Sequence, residues 1–158
     1  MKNITFIGSG NIATKLGIAL KQKNYNISQV FSRSEENARR LAGKIDSSYI
    51  NDINKLEDAD LFFVCVSDDV IMEVINKINY LHTPIVHTSG CTDINVLNRF
   101  ISYGSFYPLQ SFQKDIDEEF NSIPIFLESN NDILRKNLLE IAYSLSDVVY
   151  EISSYQRK

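Results

Sequence analysis

The sequence predicts an α/β fold: a doubly wound, mainly parallel sheet with helices on both faces. Three observations predict it. Strand-like and helix-like segments alternate along the 158 residues, a glycine-rich turn joins the first strand to the first helix, and residues 61–66 are apolar throughout. Alternation favours parallel strands linked by helices, and an unbroken apolar run is typical of a central strand covered on both faces. We expect a single domain over residues 1–158.

Eight strand-like runs are bounded by glycine, proline or polar residues. They cover residues 3–8, 27–32, 48–50, 61–66, 84–88, 105–109, 123–127 and 148–152. The first, second, fourth and fifth of these should be parallel and central. The last three should extend one edge of the sheet, with one antiparallel member among them.

Helical periodicity separates many of these runs. The first helix is predicted from an apolar stripe at Ile12, Leu16, Ala19 and Leu20. Ser34 is a predicted N-cap, followed by two glutamates where the helix dipole favours acidic side chains. Further stripes predict helices over residues 70–78, 93–101 and 134–145, the first of them capped by Ser67-Asp68-Asp69.

Charge and cysteine content exclude several classes of protein. The net charge is −4, and no block of basic residues indicates a nucleic-acid partner. Cys65 and Cys91 lack metal-ligand spacing, so no metal site is predicted. No apolar run approaches the roughly 20 residues of a membrane span, and a strand that begins almost at Met1 leaves no room for a signal peptide. We therefore expect a cytoplasmic protein that acts on a small molecule.

The turn Gly8-Ser9-Gly10-Asn11-Ile12-Ala13 follows the first strand and opens the first helix. A Rossmann-type dinucleotide fingerprint requires this context. Gly8 allows a tight turn, Gly10 lets a pyrophosphate approach the backbone, and Ala13 permits close packing of helix on strand. Free N–H groups at the helix N-terminus would receive the pyrophosphate. For a motif this short, an ordinary strand-to-helix turn is the alternative.

The second strand ends in Ser32-Arg33-Ser34. A domain specific for NAD usually carries an acidic residue near this position, where it binds the ribose 2′-hydroxyl. A guanidinium group instead forms charged, forked hydrogen bonds with a 2′-phosphate. The sequence thus favours NADP(H), and the alternative is a solvated arginine beside a serine N-cap. S-adenosylmethionine also favours an acidic partner here, which makes a methyltransferase the weaker hypothesis.

Ligands in such sheets bind beyond the carboxyl ends of the strands, so further strand ends are candidates. Val66 and Ser67 are expected near the cofactor ribose, and Thr88-Ser89-Gly90 near the nicotinamide. His87 and Tyr107 are candidate acid–base groups. For each of these two residues the simpler interpretation is structural: a histidine satisfied by its neighbours and an aromatic residue in the core.

Six stretches of the chain carry a wider resemblance. They are FIGSGNIA (6–13), VFSRS (30–34), VHTSG (86–90), SFYPLQSF (105–112), IPIFLES (123–129) and SSYQRK (153–158). With them the chain resembles the N-terminal half of a bacterial family of Rossmann-like NADP oxidoreductases that carry a C-terminal helical domain of unknown function. That family is related to deazaflavin-dependent NADP reductases and to pyrroline-5-carboxylate reductases.

The resemblance implies hydride transfer between NADP(H) and an unidentified small molecule, and it leaves open whether a flavin or deazaflavin takes part. Family members continue past the Gln156-Arg157-Lys158 segment into a helical domain that contributes to dimerisation. We therefore expect this chain to be the cofactor-binding half of a truncated or split protein that forms a homodimer through that domain. Alone it should bind NADP(H) with little turnover. A non-catalytic NADP(H)-binding sensor or scaffold is the competing hypothesis.

Overall fold

The structure is a computed structural model that describes residues 2–113, 116 and 119–158. Within these residues, eight strands form one sheet: β1 (Asn3–Ile7), β2 (Asn26–Phe31), β3 (Ser48–Ile50), β4 (Leu61–Val64), β5 (Ile85–His87), β6 (Tyr103–Pro108), β7 (Ile125–Ser129) and β8 (Val149–Glu151). The helices are α1 (Asn11–Gln22), α2 (Glu35–Ile45), α3 (Ile71–Ile75), α4 (Asp132–Leu145) and α5 (Ser154–Arg157).

The strand order is β3-β2-β1-β4-β5-β6-β7-β8, with β1, β2, β4 and β5 parallel and central. The predicted fold class, a doubly wound and mainly parallel Rossmann-type sheet, is confirmed. One antiparallel strand was expected at the edge, but two strands run against the rest: β7 is antiparallel to β6, and β8 is parallel to β7. Because the 14-residue helix α4 crosses from β7 to β8, these two strands share a direction.

Helices cover both faces of the sheet, as predicted. Helices α1, α2 and α4 bury their apolar stripes against one face, where the Phe63 ring lies 5.5 Å from Phe6 and 5.3 Å from Phe106. Helix α3 packs on the other face, over Phe62 and Val64. Because β4 is apolar on both sides, its four residues are all fully buried.

Two predicted helices are shorter than expected. The helix expected over residues 93–101 is one 3₁₀ turn, Ile94–Leu97, because the Ile101 N–H donates to the Leu81 carbonyl at 3.1 Å and not to a helical acceptor. The helix expected over residues 70–78 ends at Ile75 as α3. Ser67 lies at the N-cap position of a 3₁₀ turn, Asp68–Val70, that precedes α3, but its side chain makes no capping hydrogen bond.

No helix among the described residues is both long and apolar enough to cross a bilayer.

Candidate functional site

Gly8 leaves β1 with a φ of 118°, a backbone conformation that favours glycine. A Cβ at this position would lie 2.2 Å from the Cys65 carbonyl oxygen, which is far inside van der Waals contact. The Gly8 N–H donates to the Phe31 carbonyl at 2.8 Å. Gly8 therefore draws the carboxyl ends of β1, β2 and β4 together at one point, and a side chain would prevent it.

Gly10 is the N-cap of α1, and no side chain in the described part of the chain caps it. The helical hydrogen bonds begin with the Thr14 N–H, which donates to the Gly10 carbonyl at 3.0 Å. A Cβ on Gly10 would meet no atom within 4 Å. Protein packing therefore does not require a glycine here. The open space lies at the positive end of a 12-residue helix, where N–H groups without a helical acceptor favour an anion.

The side chains after Gly10 make contacts within the protein itself. Ala13 is fully buried in the core, and Ile12 packs against the same core. The Asn11 side-chain amide donates to the Phe112 carbonyl at 2.9 Å, and the Lys15 ammonium donates to the Ile116 carbonyl. The chain after β6 is thus held against the first turn of α1, and the Asn11 side chain is already engaged there.

The end of β2 meets the glycine-rich turn directly. The Ser9 hydroxyl donates to the Ser32 hydroxyl at 2.8 Å, so two sequence-predicted segments are hydrogen-bonded to each other. Arg33 is exposed. Ser34 is the N-cap of α2 and accepts the Asn37 N–H at 3.3 Å, which confirms that predicted cap.

Sequence reasoning missed two basic residues beside this segment. Arg40 and Lys44 lie on α2, and with Ser9 they line a small cleft between α1 and α2. The Arg40 guanidinium donates to the Asn37 side chain at 2.7 Å and lies 3.6 Å from the Glu36 carboxylate. The helical spacing of the two basic residues was the available signal, since positions four apart lie on one helix face.

The ends of β4 and β5 provide the other predicted residues. The nearest atom of Val66 is 3.2 Å from the Cβ position of Gly8, so its side chain faces the glycine-rich turn, and Ser67 is exposed. Thr88 and Ser89 are buried, and the Ser89 hydroxyl accepts two backbone N–H groups of the same loop. Any ligand at this loop would therefore meet backbone more readily than these hydroxyls.

Gly90 supports Tyr107, the second acid–base candidate. A Cβ on Gly90 would lie 2.7 Å from the Tyr107 ring and 3.0 Å from its hydroxyl oxygen. The ring of Tyr107 is half-buried and lies 6.3 Å from the Phe126 ring on the neighbouring strand. Its hydroxyl is therefore beside the loop at the end of β5, and Gly90 is small because the tyrosine packs on it.

His87 is enclosed by the protein and has no exposed surface. Its Nδ1 accepts the Ser89 N–H at 3.2 Å, which places the ring proton on Nε2, a buried atom with no hydrogen-bond partner among the described residues. Burial, and after it the positive charge of Arg157, lowers the pKa of His87 from 6.5 to about 4. The expectation of a histidine satisfied by its neighbours is therefore met at Nδ1 and not at Nε2, while enclosure of the ring disfavours exchange of protons with a ligand.

Sequence reasoning assigned no role to Arg157 and Glu128, which form a buried ion pair at 2.9 Å. The Arg157 guanidinium also donates to the Ser105 hydroxyl at 2.7 Å and to the Thr92 carbonyl at 2.6 Å. The Ser154 hydroxyl donates to the Glu128 carboxylate at 2.6 Å. Both charged residues lie in stretches that carried the family resemblance, but the contact between them spans two distant parts of the chain.

The sequence profile of a known family matches residues 3–86, more than half of the chain. The family is described as NADP oxidoreductase, coenzyme F420-dependent, and the chain belongs to it. This confirms the predicted resemblance, and it confirms an NADP(H)-binding domain at the level of the family. The comparison with curated proteins found no match.

Solved structures agree with this assignment. A Bacteroides fragilis protein assigned to the NADP oxidoreductases is 36% identical with a TM-score of 0.92, over 99% of this chain and 62% of that one. A Thermotoga maritima protein is 24% identical with a TM-score of 0.80, over 98% of this chain and 59% of that one. A pyrroline-5-carboxylate reductase from Streptococcus pyogenes is 16% identical with a TM-score of 0.77, over 98% of this chain and 59% of that one. The last two show the fold alone, and the chain spans about 60% of the length of all three.

Proposed function

We propose that the chain binds NADP(H) at the N-terminus of α1 and that it is the cofactor-binding part of an oxidoreductase. The observation that carries this proposal is the open space around Gly10, at a helix N-terminus that no described side chain caps. Packing within the protein does not require a glycine at this position, because a Cβ there would contact no other atom. A pyrophosphate fits it, because the helix dipole and several N–H donors converge there.

The residues that follow β2 would select NADP(H) over NAD(H). Arg33 is exposed and next to Ser32, whose hydroxyl lies within hydrogen-bonding distance of Ser9 in the glycine-rich turn. A 2′-phosphate between these groups would accept hydrogen bonds from the guanidinium and the serine hydroxyls. Arg40 and Lys44 add positive charge at the adjoining cleft. No acidic residue ends β2, which ends at Phe31.

The nicotinamide would lie toward Val66 and the loop Thr88–Gly90, the next strand ends along the sheet. When bound, NADPH supplies a hydride from the nicotinamide. The chain would hold the ring against backbone, because the Ser89 hydroxyl is committed to its own loop. Tyr107 is the better candidate of the two for orienting a proton beside the site, since its hydroxyl is next to Gly90 while His87 is enclosed.

A titration of the protein with NADPH, followed by the fluorescence of the nicotinamide, tests this proposal. We expect saturable binding that 2′,5′-ADP displaces, because that compound carries the adenine, ribose and 2′-phosphate. NADH should bind more weakly, and S-adenosylmethionine should not compete. Absence of NADPH binding, or equal competition by S-adenosylmethionine, would overturn the proposal.

A further inference from the structure

We propose that Arg157 is a positioning residue, which fixes the loop Thr88–Thr92 to helix α5 and so sets the shape of the nicotinamide side of the site. The importance of that loop rests on the proposed function. The anchoring itself rests on contacts within this chain. The proposal goes beyond cofactor binding because it makes helix α5 a determinant of the geometry of the site.

The Arg157 side chain is 1% exposed, and that of Glu128 is 18% exposed. Strand register explains why they meet: Ser105 pairs with His87 on one side and with Glu128 on the other, so three neighbouring strands present these residues in a row. Arg157 lies over the row and donates to Ser105 and Glu128 together. Few side chains other than arginine can satisfy several acceptors in this way, because its planar fork carries five donors.

The same guanidinium reaches the loop. It donates to the Thr92 carbonyl, 65 residues earlier in the sequence, at 2.6 Å. A second link joins the Ile94 N–H to the Ser154 hydroxyl at 3.1 Å. Within the loop, the Ser89 hydroxyl accepts the Thr92 N–H at 2.9 Å, and the Ser89 N–H donates to His87. A displacement of α5 would therefore be passed to Thr92 and from there to Ser89.

A second arginine–glutamate pair in the same region provides the control. The Arg135 guanidinium donates two hydrogen bonds to the Glu151 carboxylate, but the two side chains are 45% and 41% exposed. The pair joins α4 to β8 and makes no contact with the loop among the contacts that the described residues form. Both pairs join an arginine to a glutamate. They differ because the Arg135–Glu151 pair is more exposed and because only Arg157 also bonds to the loop.

The first experiment needs no nucleotide. Amide hydrogen exchange would be measured on the double variant Arg157→Met/Glu128→Gln, which leaves no unpaired buried charge, and on the control Arg135→Met/Glu151→Gln. We expect the Thr92 and Ile94 amides to exchange about tenfold faster in the first variant and at the unchanged rate in the control. Unchanged exchange in the first variant, or an equal increase in both, would overturn the anchoring.

Arg157→Lys provides a second test if the double variant fails to fold. Lysine keeps a positive charge beside Glu128 but lacks the fork that reaches Ser105 and Thr92 together. We expect the Thr92 and Ile94 amides to exchange faster than in the wild type, but by less than in the double variant. Exchange at the wild-type rate would show that charge alone holds the loop and would contradict a positioning role for the guanidinium.

Nucleotide binding then separates this inference from the proposed function. The Arg157 variants should bind 2′,5′-ADP as the wild type does and bind NADPH about fivefold more weakly, because only NADPH reaches the loop. Equal weakening of both ligands would indicate a general loss of structure and would overturn the inference. If the wild type bound neither ligand, the proposed function would be wrong, while hydrogen exchange would still decide whether Arg157 holds the loop.

Discussion

The two ends of the candidate site are built in opposite ways. At the glycine-rich end, Gly8 and Gly10 shape the backbone, and the first helical N–H groups of α1 have no side-chain cap among the described residues. At the loop end, the hydroxyl of Ser89 and the Nδ1 atom of His87 accept hydrogen bonds from the loop itself. The first end leaves donors uncapped, whereas the second uses the Ser89 hydroxyl and the His87 Nδ1 atom to hold its own shape.

This difference separates recognition from positioning. Open N–H groups at a helix N-terminus bind an anion without moving, so the glycine-rich end can supply affinity. A loop that uses its own polar groups to hold its backbone supplies a surface of fixed shape, and that shape depends on whatever holds the loop in place. Substitutions at Gly10 should therefore weaken nucleotide binding, and substitutions at Gly8 should destabilise the fold. At the loop end, a substitution of the buried His87 should change how the stability of the fold depends on pH.

The largest effect is expected from Gly8→Ala. An added Cβ would overlap the Cys65 carbonyl at 2.2 Å in a conformation that alanine rarely adopts. The free energy of unfolding should fall by about 3 kcal/mol or more, measured by urea denaturation. Gly43→Ala is the control, since Gly43 lies in α2 with no atom near its Cβ position, and it should raise stability slightly. Equal stability of Gly8→Ala and the wild type would show that position 8 accepts a side chain and would contradict this account of the turn.

The loop end should respond to pH through His87. Its pKa is about 4 in the folded chain and 6.5 ordinarily, so an unfolded chain binds a proton that the folded chain excludes within this window. The free energy of unfolding should fall by about 3 kcal/mol in total as the pH drops from 6.5 through 4. Above pH 6.5 this contribution is fully present.

Urea denaturation at several pH values measures this contribution. His87→Gln should remove it, because glutamine does not titrate. His82→Gln replaces the exposed histidine and should leave the full pH dependence in place. The same pH dependence in the His87 variant and the wild type would show that other groups account for it.

Gly10→Val tests the open end without a large cost in stability. Gly10 has an extended backbone, which valine adopts, but its side chain would occupy the space in front of the α1 N–H groups. NADPH and NADH should both bind about 100-fold more weakly, because the pyrophosphate is common to them and loses charge-assisted hydrogen bonds. Calorimetry would show this, with Gly43→Val as the control. Wild-type affinity in the Gly10 variant would place the nucleotide elsewhere.

The two ends also differ in how far the sequence predicted them. The glycine-rich end could be predicted because its signals are local: a strand, a turn and a helix within residues 3–22. The residues of the loop Thr88–Gly90 were candidates from the sequence, but the anchoring of that loop could not be predicted, since Arg157 contacts Thr92 across 65 residues and Glu128 across 29. The helix expected over residues 93–101 is wrong for a related reason, because Ile101 pairs with Leu81, a contact that apolar periodicity does not reveal.

The most direct measurement of the central claim compares NADPH and NADH binding to the wild type and to Arg33→Ala by calorimetry. Arg33 is exposed, so its replacement should leave the fold intact. A charge-assisted hydrogen bond contributes about 1.5–3 kcal/mol, so NADPH should bind at least about tenfold more weakly to the variant. NADH, which lacks the 2′-phosphate, should bind both proteins equally. Equal losses for the two nucleotides would contradict the assignment of Arg33 to the 2′-phosphate.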